Sequence, residues 1–386
     1  SRPSKPPAPP IWWSCRRCSW CVDVVVPSPR QPAPPPGYAV PRLSGPIELK
    51  LDANEGRPPP ADWLGPVLEQ AASEVHRYPK PATLEARLAA RLGVDPARVL
   101  VTAGGDEGIE RAVRTYAPGA TLVSPSPTFE MFSVYAGLYG ARVRAVPWGP
   151  PRGPESFPVQ AFVAALNDAA PPVGLAAVVT PNSPTGLSAS KDDLSAVLSA
   201  AQALSPAPLV LLDHAYVEFS ETDLTAFALT HPHCLVVRTF SKAYGLAGLR
   251  VGYVAGHPEV IRVLRNQGTP YPFSRLSLAV ALRLVEDHPP FVDARIQAVK
   301  RERARIAELF RQRGHEATSS EANFVWVRVR GEGAAEKLWR GLGDRGIAVR
   351  FFDRAIPEYL RITCPADPSD EQRLLEALTE LVEDRT

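Results

Sequence analysis

From about residue 61 onward, two hydrophobic periods alternate along the chain. Residues 66–75 and 84–92 repeat apolar positions every three to four places and predict helices. Val99-Leu100-Val101-Thr102 is instead a continuous apolar run that stops at Gly104-Gly105, which predicts a short buried strand. The alternation recurs, with strands expected at 121–124, 141–146, 175–179, 209–212, 234–237 and 250–254 and helical stretches such as 190–204 between most of them. Near-continuous apolar strands separated by helices mean an α/β fold whose mostly parallel central sheet is covered on both faces. Beyond about residue 270 the pattern changes to long helices at 277–285 and 291–313, strands at 323–329, 347–350 and 360–363, and a closing helix at 370–382. Ser369-x-x-Gln372 reads as a capping box for that last helix, and Leu374, Leu375, Leu378, Leu381 and Val382 share one of its faces. The expected organisation is a proline-rich extension over 1–35, a large domain with an N-terminal arm over 36–270, and a smaller α+β domain over 271–386. No internal repeat is evident.

Composition narrows the class. Lys+Arg number 43 against Asp+Glu 41 in 386 residues, so no global field attracts nucleic acid or an anionic membrane, and small-molecule partners are expected. No run of 18 apolar residues predicts a membrane span. The first 35 residues, dense in proline and without periodicity, read as a disordered extension or an upstream start. Cys15, Cys18 and Cys21 lie there beside Trp12, Trp13 and Trp20, but no nearby His or Cys supplies a fourth ligand, so no metal is expected. Arg16, Arg17 and Asp23 interrupt any secretory signal. Cys234 and Cys364 sit in strand-like contexts that need no disulfide, which fits a soluble protein of the reducing cytoplasm.

The chemistry concentrates where strands end, as ligands of such sheets do. Thr239-Phe240-Ser241-Lys242 places a lysine between hydroxyls, and Arg250 follows eight positions on in a glycine-containing loop. This suits a phosphate-bearing aldehyde: Lys242 forms the imine, while Thr239, Ser241 and Arg250 hold the phosphate. Gly105 and Asp106 open a helix after a strand, where free N–H groups and the helix dipole also favour phosphate. Asp213 closes another strand 29 residues before Lys242, where a carboxylate can keep a pyridine nitrogen protonated and make the ring an electron sink. Tyr216 follows three later. The turn at 181–186 can reach a ring oxygen, Phe129 can stack on a planar ring or simply fill core, and Tyr78 can be buried or serve a phosphate. Arg350 and Arg361, at strand ends of the second domain, can bind carboxylate or phosphate in bidentate fashion.

Over residues 36–384 these segments resemble the fold-type I pyridoxal-phosphate aminotransferases, and within them the histidinol-phosphate aminotransferase family. The matching stretches include Leu51-Asp52-Ala53-Asn54-Glu55, Arg77-Tyr78-Pro79, Pro127-Thr128-Phe129, Pro184-Thr185-Gly186, Asp213-x-Ala215-Tyr216, Ser241-Lys242-Ala243-Tyr244-Gly245, Glu321-Ala322-Asn323-Phe324 and Leu360-Arg361-Ile362-Thr363. The resemblance implies that Lys242 carries pyridoxal 5'-phosphate and shuttles the proton, that Asp213 pairs with the ring nitrogen and Tyr216 with the ring oxygen, and that Phe129 stacks on the ring. Gly105, Asp106, Thr239, Ser241 and Arg250 would hold the phosphate, with Tyr78 reaching across from a second subunit of a homodimer. Arg361 would take a substrate α-carboxylate, and Arg350, Tyr38 and Asn54 would lie near the distal phosphate or carboxylate.

Three positions depart from the family pattern. Ser183 stands where an asparagine usually precedes Pro-Thr-Gly, His214 stands where glutamate commonly follows the aspartate, and Cys364-Pro365-Ala366-Asp367-Pro368 replaces a glycine-containing turn. The expected activity is transamination between histidinol phosphate and 2-oxoglutarate. The alternatives are a threonine-phosphate decarboxylase-like enzyme, a broad or aromatic aminotransferase, and a non-catalytic cofactor-binding paralogue. A DNA-binding regulator lacks its helix-turn-helix here.

Overall fold

The chain enters its first strand at Leu49–Leu51 (β1) and passes through helices Ala61–Ala72 and Ala82–Leu92 to reach β2 (Val99–Thr102). This computed structural model describes residues 43, 45–353 and 356–383; Tyr38 and the cysteine-containing extension lie outside the described residues. Strands β3 (Thr121–Ser126), β4 (Arg142–Pro147), β5 (Val173–Val179), β6 (Leu209–Asp213), β7 (Cys234–Thr239) and β8 (Gly252–Ala255) complete a seven-stranded sheet with β2, in the order β2-β8-β7-β6-β5-β3-β4. Only β8 runs against the rest, pairing antiparallel with both β2 and β7. The expected α/β architecture, with a mostly parallel sheet between helical layers, is the one observed.

The apolar runs are continuous because both faces are covered. On β6, Val210 and Leu212 point into the core shared with helices Ala82–Leu92 and Lys191–Gln202, while Leu209 and Leu211 point into the core under helix Gly104–Tyr116. Every residue of β6 is therefore buried on one side or the other, at about 25 cal/mol per Å² of apolar surface, whereas the edge strand β4 stays largely exposed. Helix Arg275–Asp287 also packs in the first core through Leu278, Val280, Ala281 and Leu284.

A second sheet, in the order β1-β11-β12-β10-β9, is built from β9 (Glu316–Ala317), β10 (Phe324–Arg328), β11 (Ile347–Phe351) and β12 (Tyr359–Thr363), and it recruits β1 parallel to β11. Helices Pro290–Gln312, Ala334–Asp344 and Pro368–Leu381 cover it.

Three local expectations are corrected. The first helix starts at Ala61, not at Pro66, and stops at Ala72. Trp63, Leu64, Val67, Leu68 and Ala71 form its packed face, while Pro66 is exposed, so the backbone carbonyl it leaves unpaired meets water. The last helix is capped by Asp367, whose carboxylate accepts from the Ser369 and Asp370 N–H groups, so the Ser369-x-x-Gln372 box is not the cap. The strand expected from residue 250 begins at Gly252, because Arg250 adopts φ 52°, a left-handed conformation no strand accommodates.

Candidate active site

A cavity of about 450 Å³ opens at the carboxyl ends of β5, β6 and β7, between the two sheets. It brings together Gly105, Asp106, Phe129, Ser183, Asp213, Tyr216, Thr239, Ser241, Lys242, Arg250, Asn54, Arg350 and Arg361, which is every sequence-derived candidate among the described residues except Tyr78. A larger recess of about 660 Å³ between helices Pro290–Gln312 and Pro368–Leu381 shares none of these residues.

Lys242 sits in the loop after β7. Its Nζ donates to the Ala53 carbonyl at 3.2 Å and lies 5.6 Å from the centre of the Tyr216 ring. Gly245, at φ 68°, lets the lysine loop approach the chain at residues 56–57: a Cβ there would collide with the Arg57 carbonyl and the Arg295 guanidinium.

One end of the cavity is arranged for an anion. Helix Gly104–Tyr116 starts there, leaving its first N–H groups without intrahelical partners. The Thr239 hydroxyl donates to Ser241 Oγ at 2.9 Å and accepts from the Ser241 N–H at 3.1 Å, so both hydroxyls are held at the strand end. Arg250, with its backbone left-handed, lays its guanidinium over Gly104 and pairs with Asp106 at 3.0 Å. Gly104 is at φ 80°, and a Cβ there would sit 2.8 Å from Arg250 Nη2, so glycine is what permits the approach.

Asp213 also lines the cavity, 4% exposed, its Oδ1 accepting from the Ala215 N–H at 3.1 Å. Desolvation pushes its carboxyl up from 3.8 to about 7; the Ala215 bond opposes this, Asp106 adds to it, and Lys242 opposes it. His214, behind it, points away from the cavity. Its Nδ1 donates to the Thr180 carbonyl at 2.5 Å and its Nε2 accepts from the Leu224 N–H at 3.2 Å, which fixes one neutral tautomer. Burial, and secondarily Arg238, lower its pKa from 6.5 to about 4. His214 is therefore a structural brace between β6 and the turn that carries Ser183.

Asn54 is 1% exposed, at φ 55°. Its Nδ2 donates to the Tyr216 hydroxyl at 2.9 Å, its Oδ1 accepts from the Thr363 hydroxyl at 3.0 Å, and its carbonyl accepts from Asn323 Nδ2 at 3.2 Å. It thus links the two sheets and aims the tyrosine.

At the mouth, Arg350 on β11 and Arg361 on β12 are direct partners in the antiparallel register, so both side chains lie on one face. Both are buried. Arg361 donates to Ser183 Oγ at 3.0 Å and to the Asp52 carbonyl at 2.8 Å, so the serine that replaces asparagine is engaged with the arginine. Arg350 faces Glu130 at 3.5 Å and lies 5.2 Å from the centre of the Phe352 ring. Tyr78 is 72% exposed and stacks on Tyr271, outside this cavity.

Sequence reasoning missed Asn182, Thr363, Asn323 and Glu130. Asn182 is fully buried and receives the Thr128 hydroxyl while donating to the Pro127 carbonyl, which locks the Phe129 turn to the Ser183 turn. Its position inside Pro-Asn-Ser-Pro was the available signal; Glu130, beside Phe129, had none.

Pyridoxal 5'-phosphate fits this residue set. A phosphate matches the helix start, the paired hydroxyls and Arg250; an amine-reactive aldehyde matches Lys242; and a cationic ring nitrogen would supply the charge partner that burial denies Asp213.

Residues 47–378 match the family model described as aminotransferase class I and II. A histidinol-phosphate aminotransferase of Acetobacter pasteurianus is 34% identical over 86% of this chain and 91% of its own length. An aromatic amino acid aminotransferase of Corynebacterium efficiens is 32% identical over 85% and 92%. The crystal structure of a histidinol-phosphate aminotransferase from Sinorhizobium meliloti, in complex with pyridoxal-5'-phosphate, superposes with a TM-score of 0.77 at 26% identity, covering 87% of this chain and 91% of that one. Matches of this extent to the family model and to relatives at that identity, joined to a fold and a cavity suited to the cofactor, make the chain a member of the class I and II aminotransferases, pyridoxal-phosphate enzymes of fold type I.

Proposed function

We propose that this chain transaminates histidinol phosphate, with 2-oxoglutarate and glutamate as the second substrate pair, as a homodimer of the cytoplasm. The observation that carries the reading is the facing pair Arg350 and Arg361 at the mouth of the lysine cavity. Two guanidinium groups suit substrates with two anionic carboxylates, such as glutamate, and a phosphate monoester equally. The names of the relatives support the same choice.

Bound pyridoxal phosphate supplies an aldehyde for the amino group and a ring that accepts the electron pair left on the substrate α-carbon. Lys242 Nζ would hold the cofactor, be released by the incoming amine, and then take the α-proton. The same nitrogen would then deliver that proton to the cofactor carbon that had carried the aldehyde. Asp213 would hold the ring nitrogen protonated. The Tyr216 hydroxyl, aimed by Asn54, would donate to the ring oxygen, and Phe129 would lie against the ring. Gly105, Asp106, Thr239, Ser241 and Arg250 would bind the phosphate, with Tyr78 completing that site in the other subunit. Its exposed stack with Tyr271 leaves the ring accessible to a second copy. Arg361 would take the α-carboxylate of glutamate, and Arg350 the distal anion.

The test is a half-reaction panel. Histidinol phosphate, histidinol and phenylalanine are each mixed with the purified holoenzyme and the cofactor's absorbance change is followed. A preference of about 100-fold or more in efficiency for the phosphorylated amine is expected from an added charge-assisted contact to arginine. A preference for phenylalanine would instead identify an aromatic aminotransferase.

A further inference from the structure

The segment that follows β12 holds one residue in a conformation its side chain disfavours. Ala366 lies at φ 56°, in the left-handed region where a Cβ crowds the neighbouring carbonyl. Its N–H donates at 2.7 Å to Oε2 of Glu302, on helix Pro290–Gln312. Glu302 is 2% exposed and lines the recess between that helix and Pro368–Leu381. No step assigned to the lysine cavity uses this carboxylate.

Three residues upstream of Ala366 the same segment reaches the site. The Thr363 hydroxyl, at the end of β12, accepts from the Asn54 N–H at 3.2 Å and donates to Asn54 Oδ1 at 3.0 Å. The Cys364 N–H donates to the Asn323 carbonyl at 2.9 Å, and Asn54 donates in turn to the Tyr216 hydroxyl. We propose that Glu302 is a positioning residue, whose clamp on the left-handed Ala366 fixes Thr363 and Asn54 and so sets the aim of the Tyr216 hydroxyl. This rests on the role proposed for Tyr216 at the ring oxygen. Without the clamp, Ala366 relaxes toward negative φ, the chain turns at the end of β12, and Thr363 shifts against Asn54. A carboxylate suits the task, because an ionised acceptor holds an N–H more strongly than a neutral one. Glu302 acts through the backbone of Ala366 and not on the reacting atoms.

The strength of the clamp follows pH. Desolvation raises the Glu302 carboxyl from 4.5 to about 7; the Ala366 N–H opposes this, Glu371 on helix Pro368–Leu381 adds to it, and Arg305 on the same helix as Glu302 and the Asp367 N–H oppose it. Cys364 and Arg303 share these surroundings, and Arg305 is itself paired with Glu371 at 2.7 Å. The carboxylate is charged and grips hardest above about pH 7, and it takes up a proton and loosens below it.

The experiment compares the wild-type holoenzyme with Glu302→Gln, Ala366→Gly and the double variant. Glutamine keeps an acceptor without the charge, and glycine adopts a positive φ without strain. Two readouts are taken: the affinity for pyridoxal phosphate at pH 8 and pH 6, and the pH midpoint of the bound cofactor's visible absorbance change, which reports how firmly the ring oxygen is hydrogen-bonded. At pH 8 Glu302→Gln is expected to weaken the cofactor about fivefold and to move the midpoint upward by about half a unit. At pH 6 the loss of affinity should shrink below about twofold, since the wild-type carboxyl is then largely neutral as well. Ala366→Gly alone should change neither readout, and in the double variant the loss at pH 8 should fall below about twofold, because glycine holds the turn unaided. Unchanged affinity and midpoint in Glu302→Gln, or equal losses whether residue 366 is alanine or glycine, overturns the proposal. If Tyr216→Phe leaves the midpoint in place, the ring-oxygen role of Tyr216 fails instead, and the affinity cycle at residues 302 and 366 still decides the clamp.

Discussion

Asp213 offers a direct measure of what burial without the cofactor costs. Its carboxyl is displaced from 3.8 in the exposed state to about 7 in the folded chain, chiefly by desolvation. Below pH 3.8 both states bind the proton and nothing is lost. Between 3.8 and about 7 the unfolded chain releases the proton while the folded one keeps it, so stability falls as pH rises; above about 7 the loss is complete and constant. At about 1.4 kcal/mol per pH unit the displacement is worth about 4 kcal/mol, reduced to about 2–4 by water entering the open cavity. Asp213→Asn removes the charge and keeps the Oδ1 acceptor for the Ala215 N–H. The cofactor-free variant should therefore be about 2–4 kcal/mol more stable than the cofactor-free wild type at pH 8, with the difference shrinking toward zero near pH 4. Urea unfolding across that range, followed by tryptophan fluorescence, measures it. Adding pyridoxal phosphate should reverse the ranking, because only the carboxylate gains a cationic partner. A cofactor-free variant no more stable than wild type at pH 8 would refute the desolvation argument.

His214 has the opposite slope. Its pKa falls from 6.5 to about 4 on folding, so its contribution is complete above 6.5 and is lost as pH drops toward 4, by about 3 kcal/mol; in His214→Gln that acid-side loss should vanish from the unfolding curves. Lys242→Ala should slow the half-reaction with glutamate by about 10⁴-fold or more, read in single-turnover absorbance, while the variant still folds; a rate near wild type would exclude Lys242 as proton carrier. Gly104→Ala, with its Cβ against the Arg250 guanidinium and φ 80°, should weaken pyridoxal phosphate about tenfold and leave unphosphorylated pyridoxal unaffected; equal losses for both would remove Arg250 from the phosphate site.

The large sheet was legible because a strand buried on both faces must be apolar throughout, and β5, β6 and β7 are. Helix boundaries were less so. The start at Ala61 depends on the Trp63, Leu64, Val67, Leu68 and Ala71 face meeting helix Arg275–Asp287, a contact across some two hundred residues that outweighs the local signal of Pro66. Most of the site was readable too, since Lys242, Asp213 and Arg250 each occupy strand ends or loops where the local sequence announces them. The hydrogen-bond chain through Asn54, Thr363 and Asn323 was not, because it closes between segments roughly three hundred residues apart.

By itself the sequence determined the α/β class and the phosphate-bearing cofactor and offered Lys242 as its candidate lysine, because periodicity and residue type act locally. Tertiary structure alone decided that β1 joins the smaller sheet and that His214 is a buried neutral brace. It also decided that Ser183 engages Arg361, and that Arg350 meets Glu130. The physical reason is common to all four. Burial, pairing register and charge compensation are properties of groups that only the folded chain brings within a few ångströms of one another.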